Sequence, residues 1–102
     1  MEIHGNDIIV DNFRHDFSIQ DVINVVKEFW KDLVTEDDGT ESGIFIYEND
    51  AAMKAWDKEG WSEVNDKTMI YVLWADRGFT IVIDDNKENL PIAKSIEKLV
   101  QI

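Results

Sequence analysis

His4 and His15 are the only imidazoles in the chain, and no cysteine accompanies them. A general base or a zinc site would have to use one of these two residues or rest on carboxylates alone. No ligand-spacing motif surrounds either histidine, so ordinary surface positions are the expectation for both. The acidic run Glu36-Asp37-Asp38-Gly39 invites comparison with a calcium loop. Setting Gly39 at the sixth position of an EF-hand puts Val34 at the first and Phe45 at the twelfth, where oxygen ligands are required, so the match fails. The run reads as a solvated acidic loop. Asp84 and Asp85 are adjacent at the end of an apolar run; neighbouring strand residues point to opposite faces, so the two do not make an acid/base pair and instead help to close the strand. Ser18, Ser42, Ser62 and Ser95 have no activating partner in sequence, and no nucleophile elbow, glycine-rich phosphate loop or H-E-x-x-H motif occurs. The sequence thus predicts no catalytic residue, no metal and no cofactor. What is left to an enzyme or small-ligand reading falls to His15 with the neighbouring Asp16.

Charge is the dominant global feature, with 22 acidic against 10 basic residues and a formal net charge of −12. Its distribution is uneven: residues 1–34 carry −4, residues 35–66 carry −8 and residues 67–102 are neutral. Such a field repels phosphate backbones and anionic lipid, and it steers a basic partner toward the middle segment. Direct nucleic-acid binding and a membrane surface are therefore disfavoured. The N-terminus lacks a basic n-region and no apolar stretch is long enough to span a bilayer, so the expectation is neither secretion nor insertion.

The elements that must position these groups follow from periodicity. Glu2 to Val10 carries apolar residues on both sides of Gly5-Asn6, as a short β-hairpin does. Asp11 to Phe17 is a connection, with Phe13 and Phe17 as its anchors. Ser18 is a good N-cap for a helix in which Ile19, Val22, Ile23, Val26, Phe29, Trp30 and Leu33 recur at three- and four-residue spacing, ending near Val34. Thr35 to Gly43 is a polar loop. Ile44-Phe45-Ile46-Tyr47 reads as an interior strand buried on both sides. Asn49 caps a second helix through Lys58, stopped by Gly60. Trp61 to Lys67 is a connection, and strands over 68–74 and 79–83 flank an Asp76-Arg77-Gly78 hairpin turn. Pro91 falls in the first turn of a last helix whose stripe is Ile92, Ile96, Leu99 and Val100.

The predicted order is ββαβαββα: an α+β fold, one domain over residues 1–102, with a mostly antiparallel sheet of about five strands and three helices. Apolar residues are 44 % of the chain and include four tryptophans, enough to build a core without disulfides. Trp30 and Trp74 stand at periodic positions and read as core. Trp56 and Trp61 flank Glu59-Gly60 within the acidic third; core packing is the expectation for Trp56, and Trp61 is the credible anchor for a basic surface.

Small size, strong acidity, absence of cysteine and this layout resemble the immunity proteins of bacterial polymorphic toxins, including contact-dependent inhibition systems. The likeness covers the whole chain in layout and rests on no diagnostic motif. It implies a bacterial cytoplasmic protein that neutralises a cognate basic, nuclease-like toxin domain. Charge mapping alone supplies the candidate partner-binding residues: Glu36, Asp37, Asp38, Glu41, Glu48, Asp50, Asp57, Glu59, Trp61 and Glu63. The other readings are an acidic adaptor, regulatory subunit or nucleic-acid mimic, and a small enzyme or ligand-binding domain.

Overall fold

The computed structural model describes residues 1–12, 18–40, 42–75 and 78–100. The elements are β1 (Glu2–His4), β2 (Asp7–Asn12), α1 (Ile19–Lys27), β3 (Val34–Asp37), β4 (Gly43–Tyr47), α2 (Asp50–Glu59), α3 (Glu63–Asp66), β5 (Met69–Ala75), β6 (Gly78–Asp84) and α4 (Leu90–Val100). The six strands form one sheet in the order β1-β2-β6-β5-β4-β3, and every neighbouring pair is antiparallel. The expected α+β fold with an antiparallel sheet is observed, but the described residues form six strands and four helices instead of five and three. The anchors Phe13 and Phe17, the pair His15 and Asp16, Glu41, and the turn residues Asp76 and Arg77 lie outside the described residues.

Two segments read as connections are elements. The apolar spacing of the first helix runs on past Lys27, yet α1 closes at Glu28, and the amides of Phe29 and Trp30 both reach the Val26 carbonyl at 2.9 Å. This turn buries Trp30 to 7 % exposure and leaves Phe29 41 % exposed, so Phe29 does not belong to the buried stripe. The chain then extends: Val34 pairs with Tyr47 and Asp37 with Ile44, which makes β3 from part of the predicted acidic loop. An edge strand needs only a partner for its backbone, and polar side chains suit an edge. The second segment is α3, where the Ser62 hydroxyl accepts from the Asn65 amide at 3.0 Å and caps a single helical turn.

The other helices begin and end as their sequences require. Ser18 and Asp21 form a reciprocal capping box on α1, and Asn49 accepts from the Ala52 amide at 2.9 Å on α2. Gly60 closes α2 with φ +71°, and Gly78 opens β6 with φ +138°, both in the left-handed half of backbone space that glycine enters without strain.

Strand alternation then sorts the sheet into two faces. In the register, Ile8 opposes Ile83, Val10 opposes Ile81, and Ile83 and Ile81 oppose Ile70 and Val72. These six side chains are at most 1 % exposed, and Val22 and Val26 of α1 with Ile92, Ala93 and Ile96 of α4 complete the same cluster. Each such burial contributes about 1.5–3 kcal/mol. This is the core face, and the alternate residues of each strand point to the opposite one.

A candidate protein-docking face

Residues one step out of register from the core point the other way. Ile9 of β2 opposes Val82 of β6, Val82 opposes Tyr71 of β5, and Tyr71 opposes Phe45 of β4, so one apolar band crosses four strands. All four side chains, with Leu73 beside them, are half-buried and none joins the core cluster. The helices explain this. α1 and α4 pack on each other over the core face, whereas α2 and α3 touch β4 and β5. On the open face their end of the sheet holds Tyr47, which is 3 % exposed. Strand β4 is thus interior in the sheet as expected, but it is not buried on both sides: Phe45 remains half-exposed.

The carboxylates that the strands themselves carry gather on this face. Strands β1 to β6 carry Glu2, Asp7, Asp11, Glu36, Asp37 and Asp84 and neither lysine nor arginine. Register places Glu2, Asp7, Asp11, Glu36 and Asp84 on the open face, while Asp37, opposite Ile44, lies on the other. Among the described residues, the lysines sit on helices or connections, three of them (Lys27, Lys94 and Lys98) on the helices that cover the core face.

At the β4 side, Phe45 and Tyr71 stack with ring centroids 4.6 Å apart and planes at 28°. The Tyr71 hydroxyl donates to Asp38 Oδ2 at 2.6 Å, and Asp38 Oδ1 accepts from the Thr40 amide and hydroxyl at 2.8 and 2.6 Å. The Thr40 hydroxyl and then Tyr71 hold the Asp38 carboxyl below its ordinary range, and Asp38 in turn raises the Tyr71 phenol. Burial, with Glu36 and Asp57 nearby, pushes the Tyr47 phenol up to about 12.

At the α3 end, Asp7, Asp66 and Asp84 each offer a carboxylate oxygen within 4.8 Å of the others. Asp66 and Asp84 also line a cavity of about 230 Å³, together with Asn6, Trp61, Glu63, Lys67 and Asp85. Burial and then the Asp84 charge raise Asp7; burial, a hydrogen bond shared with Asp84, and the Asp84 and Asp7 charges raise Asp66, against the Trp61 indole that donates to it. Three oxygens so placed can accept a hard cation or share a proton. Asp84, read from sequence as a strand terminator, ends β6 and also belongs to this cluster.

The charge-mapped candidates separate in space. Glu36 and Asp38 flank the ring pair, Asp57 lies near Tyr47, and Trp61 and Glu63 line the carboxylate cavity. Asp50 pairs with Lys54 at 2.8 Å, Glu59 is exposed at the end of α2, and Glu48 borders a different cavity beside Trp30 and Asn89. Trp61 is 67 % exposed, whereas Trp56 is half-buried with its indole N–H donating to the Asn65 carbonyl at 2.9 Å. Glu2, Asp7, Asp11, Asp84, Phe45 and Tyr71 were not among the candidates; they share a face only through the strand register, which residue spacing along the chain does not give. Comparison with protein-family models, curated proteins and solved structures finds no match to this chain.

Proposed function

We propose that the chain is a non-catalytic binding protein whose open, acidic sheet face and adjoining α2–α3 surface hold a cationic protein. On the resemblance in size, acidity and layout, the partner is the basic, nuclease-like domain of a bacterial toxin, and the chain acts as its stoichiometric inhibitor in the cytoplasm. The observation that carries this reading is the placement of strand charge: an apolar band lies among five strand carboxylates, and the described strands bear no lysine or arginine. Complementary charge accelerates encounter, and a few desolvated anchors, Trp61 foremost, set the off-rate. Among the described residues, the Ser18 and Ser62 hydroxyls cap helices, and His4 is exposed against Glu2.

The test is functional. Produced together with the toxic domain encoded beside its own reading frame, the chain should restore growth and co-purify at one to one. Reversing Glu2, Asp11 and Glu36, which share the open face, to lysine should weaken capture and flatten its salt dependence. An affinity left unchanged by those three reversals would count against the acidic face.

A further inference from the structure

We propose that the Phe45–Tyr71 ring pair with Glu36 is a recognition site for arginine side chains of the cationic partner, a finer claim that rests on the docking reading above. The two rings stack on each other on the open face, where both side chains are half-buried. Tyr71 is held in place because its hydroxyl donates to Asp38 Oδ2, and Asp38 is itself fixed through Oδ1 by Thr40. Both Asp38 oxygens are therefore engaged within the chain. Asp38 is a positioning residue, and Glu36 is the carboxylate left to pair with an incoming cation. Glu36 stands directly across from Phe45 in the β3–β4 register. The ion pairs among the described residues join Met1 to Glu97, Glu2 to His4 and Asp50 to Lys54, and none takes up Glu36.

A planar guanidinium matches this arrangement in two ways at once. It stacks on an aromatic face, and its forked N–H groups pair with a carboxylate at the ring edge. An ammonium is a compact, strongly hydrated point charge and gains less from packing against a ring. The charge of the face selects a cationic occupant, and the ring pair selects arginine among cations.

The experiment titrates the isotopically labelled chain with hexa-arginine and with hexa-lysine peptides at equal ionic strength, following amide shifts. The arginine peptide should bind about fivefold more tightly, with shifts centred on residues 36, 45 and 71. Tyr71→Leu and Phe45→Leu should each bring the two peptides to parity without changing the lysine affinity. Glu36→Gln, a substitution outside the core, should lower the arginine affinity in a chain that still folds. Equal affinities in the wild type, a preference that survives Tyr71→Leu, or shifts confined to α2 and α3 would overturn the site. The lysine peptide separates this claim from its premise: equal, salt-sensitive binding of both peptides removes the arginine site and leaves acidic docking standing, whereas no binding of either removes both.

Discussion

The Tyr71 hydroxyl donates to Asp38 Oδ2 at 2.6 Å across 33 residues of chain, tying the turn after β3 to the middle of β5. The bond raises the Tyr71 phenol because ionising it would set a phenolate against the carboxylate it now serves. Asp38→Asn removes that charge, so Tyr71 should ionise at lower pH, while Tyr47, raised mainly by burial, should stay near 12. With two tyrosines in the chain, absorbance at a phenolate wavelength during alkaline titration resolves both steps. A neutral phenol raised in the folded state contributes stability present below the unfolded value of 10 and lost as pH rises through the folded value. The wild type should therefore lose stability from pH 10 upward, and the Asp38→Asn chain should lose less over that range.

Gly43 makes room for this contact. A Cβ there would collide with the Asp38 carboxyl, lying 2.6 Å from its Cγ, and would stand 3.1 Å from Tyr71 Cε1. The Asp38 side chain can swing away, but only by giving up the Tyr71 hydrogen bond. Gly43→Ala should cost about 1–3 kcal/mol in urea unfolding and shift the Tyr71 titration in the same direction as Asp38→Asn.

Periodicity in the sequence gives the core strands, the two long hairpin strands and three of the four helices, because burial on one face imposes a spacing that residue types reveal. Thr35-Glu36-Asp37 escapes that logic: β3 is an edge strand defined by its backbone pairing to Ile44, Phe45 and Ile46, and its side chains look like those of a loop. Glu63–Asp66 is one turn, too short to show a period, and only the Ser62 cap marks it. The carboxylate trio was out of reach for a different reason. Asp7, Asp66 and Asp84 are scattered along the chain and meet only because β2 pairs with β6 and α3 lies at their end. Counting charge along the chain likewise places the excess between residues 35 and 66, whereas the fold adds Glu2, Asp7, Asp11 and Asp84 to the same face from outside that segment.

The trio has a consequence for acid stability. Asp7 and Asp66 titrate above their ordinary 3.8, so the folded state binds protons more readily than the unfolded chain between that value and the raised ones. Stability from this cluster is therefore gained as pH falls from neutrality through the raised values, opposite in sign to a salt-bridged carboxylate. Glu63, Asp85 and Lys67 face the same cavity. Asp66→Asn, which removes one of three mutually repelling charges and keeps the shape, should stabilise the protein at pH 7 by about 1 kcal/mol and flatten the pH dependence. Thermal unfolding from pH 7 to pH 4 reads both effects, and a variant less stable than wild type at pH 7 would contradict the repulsion.

Trp56 and Trp61 test whether an indole holds the fold or serves the surface. Trp56 donates to the Asn65 carbonyl at 2.9 Å, and that carbonyl also accepts from the Thr68 hydroxyl at 2.9 Å. The Asn65 side chain, 5 % exposed, donates to the Gly60 carbonyl at 2.6 Å, so these bonds join the end of α2, the single turn of α3 and the start of β5. Trp56→Phe keeps most of the ring volume and loses one hydrogen bond, for an expected cost of about 1 kcal/mol. Asn65→Ala leaves the Gly60 carbonyl without its donor beside a buried position and should cost about 1–3 kcal/mol. Trp61 is 67 % exposed, so Trp61→Phe should stay within about 0.5 kcal/mol of wild type in urea unfolding. If Trp61 is the anchor of the docking surface, that same substitution should speed dissociation of the bound toxin domain in a surface-binding measurement while Trp56→Phe leaves the off-rate unchanged. The reverse pattern would move the anchor off the exposed indole and into the packed one.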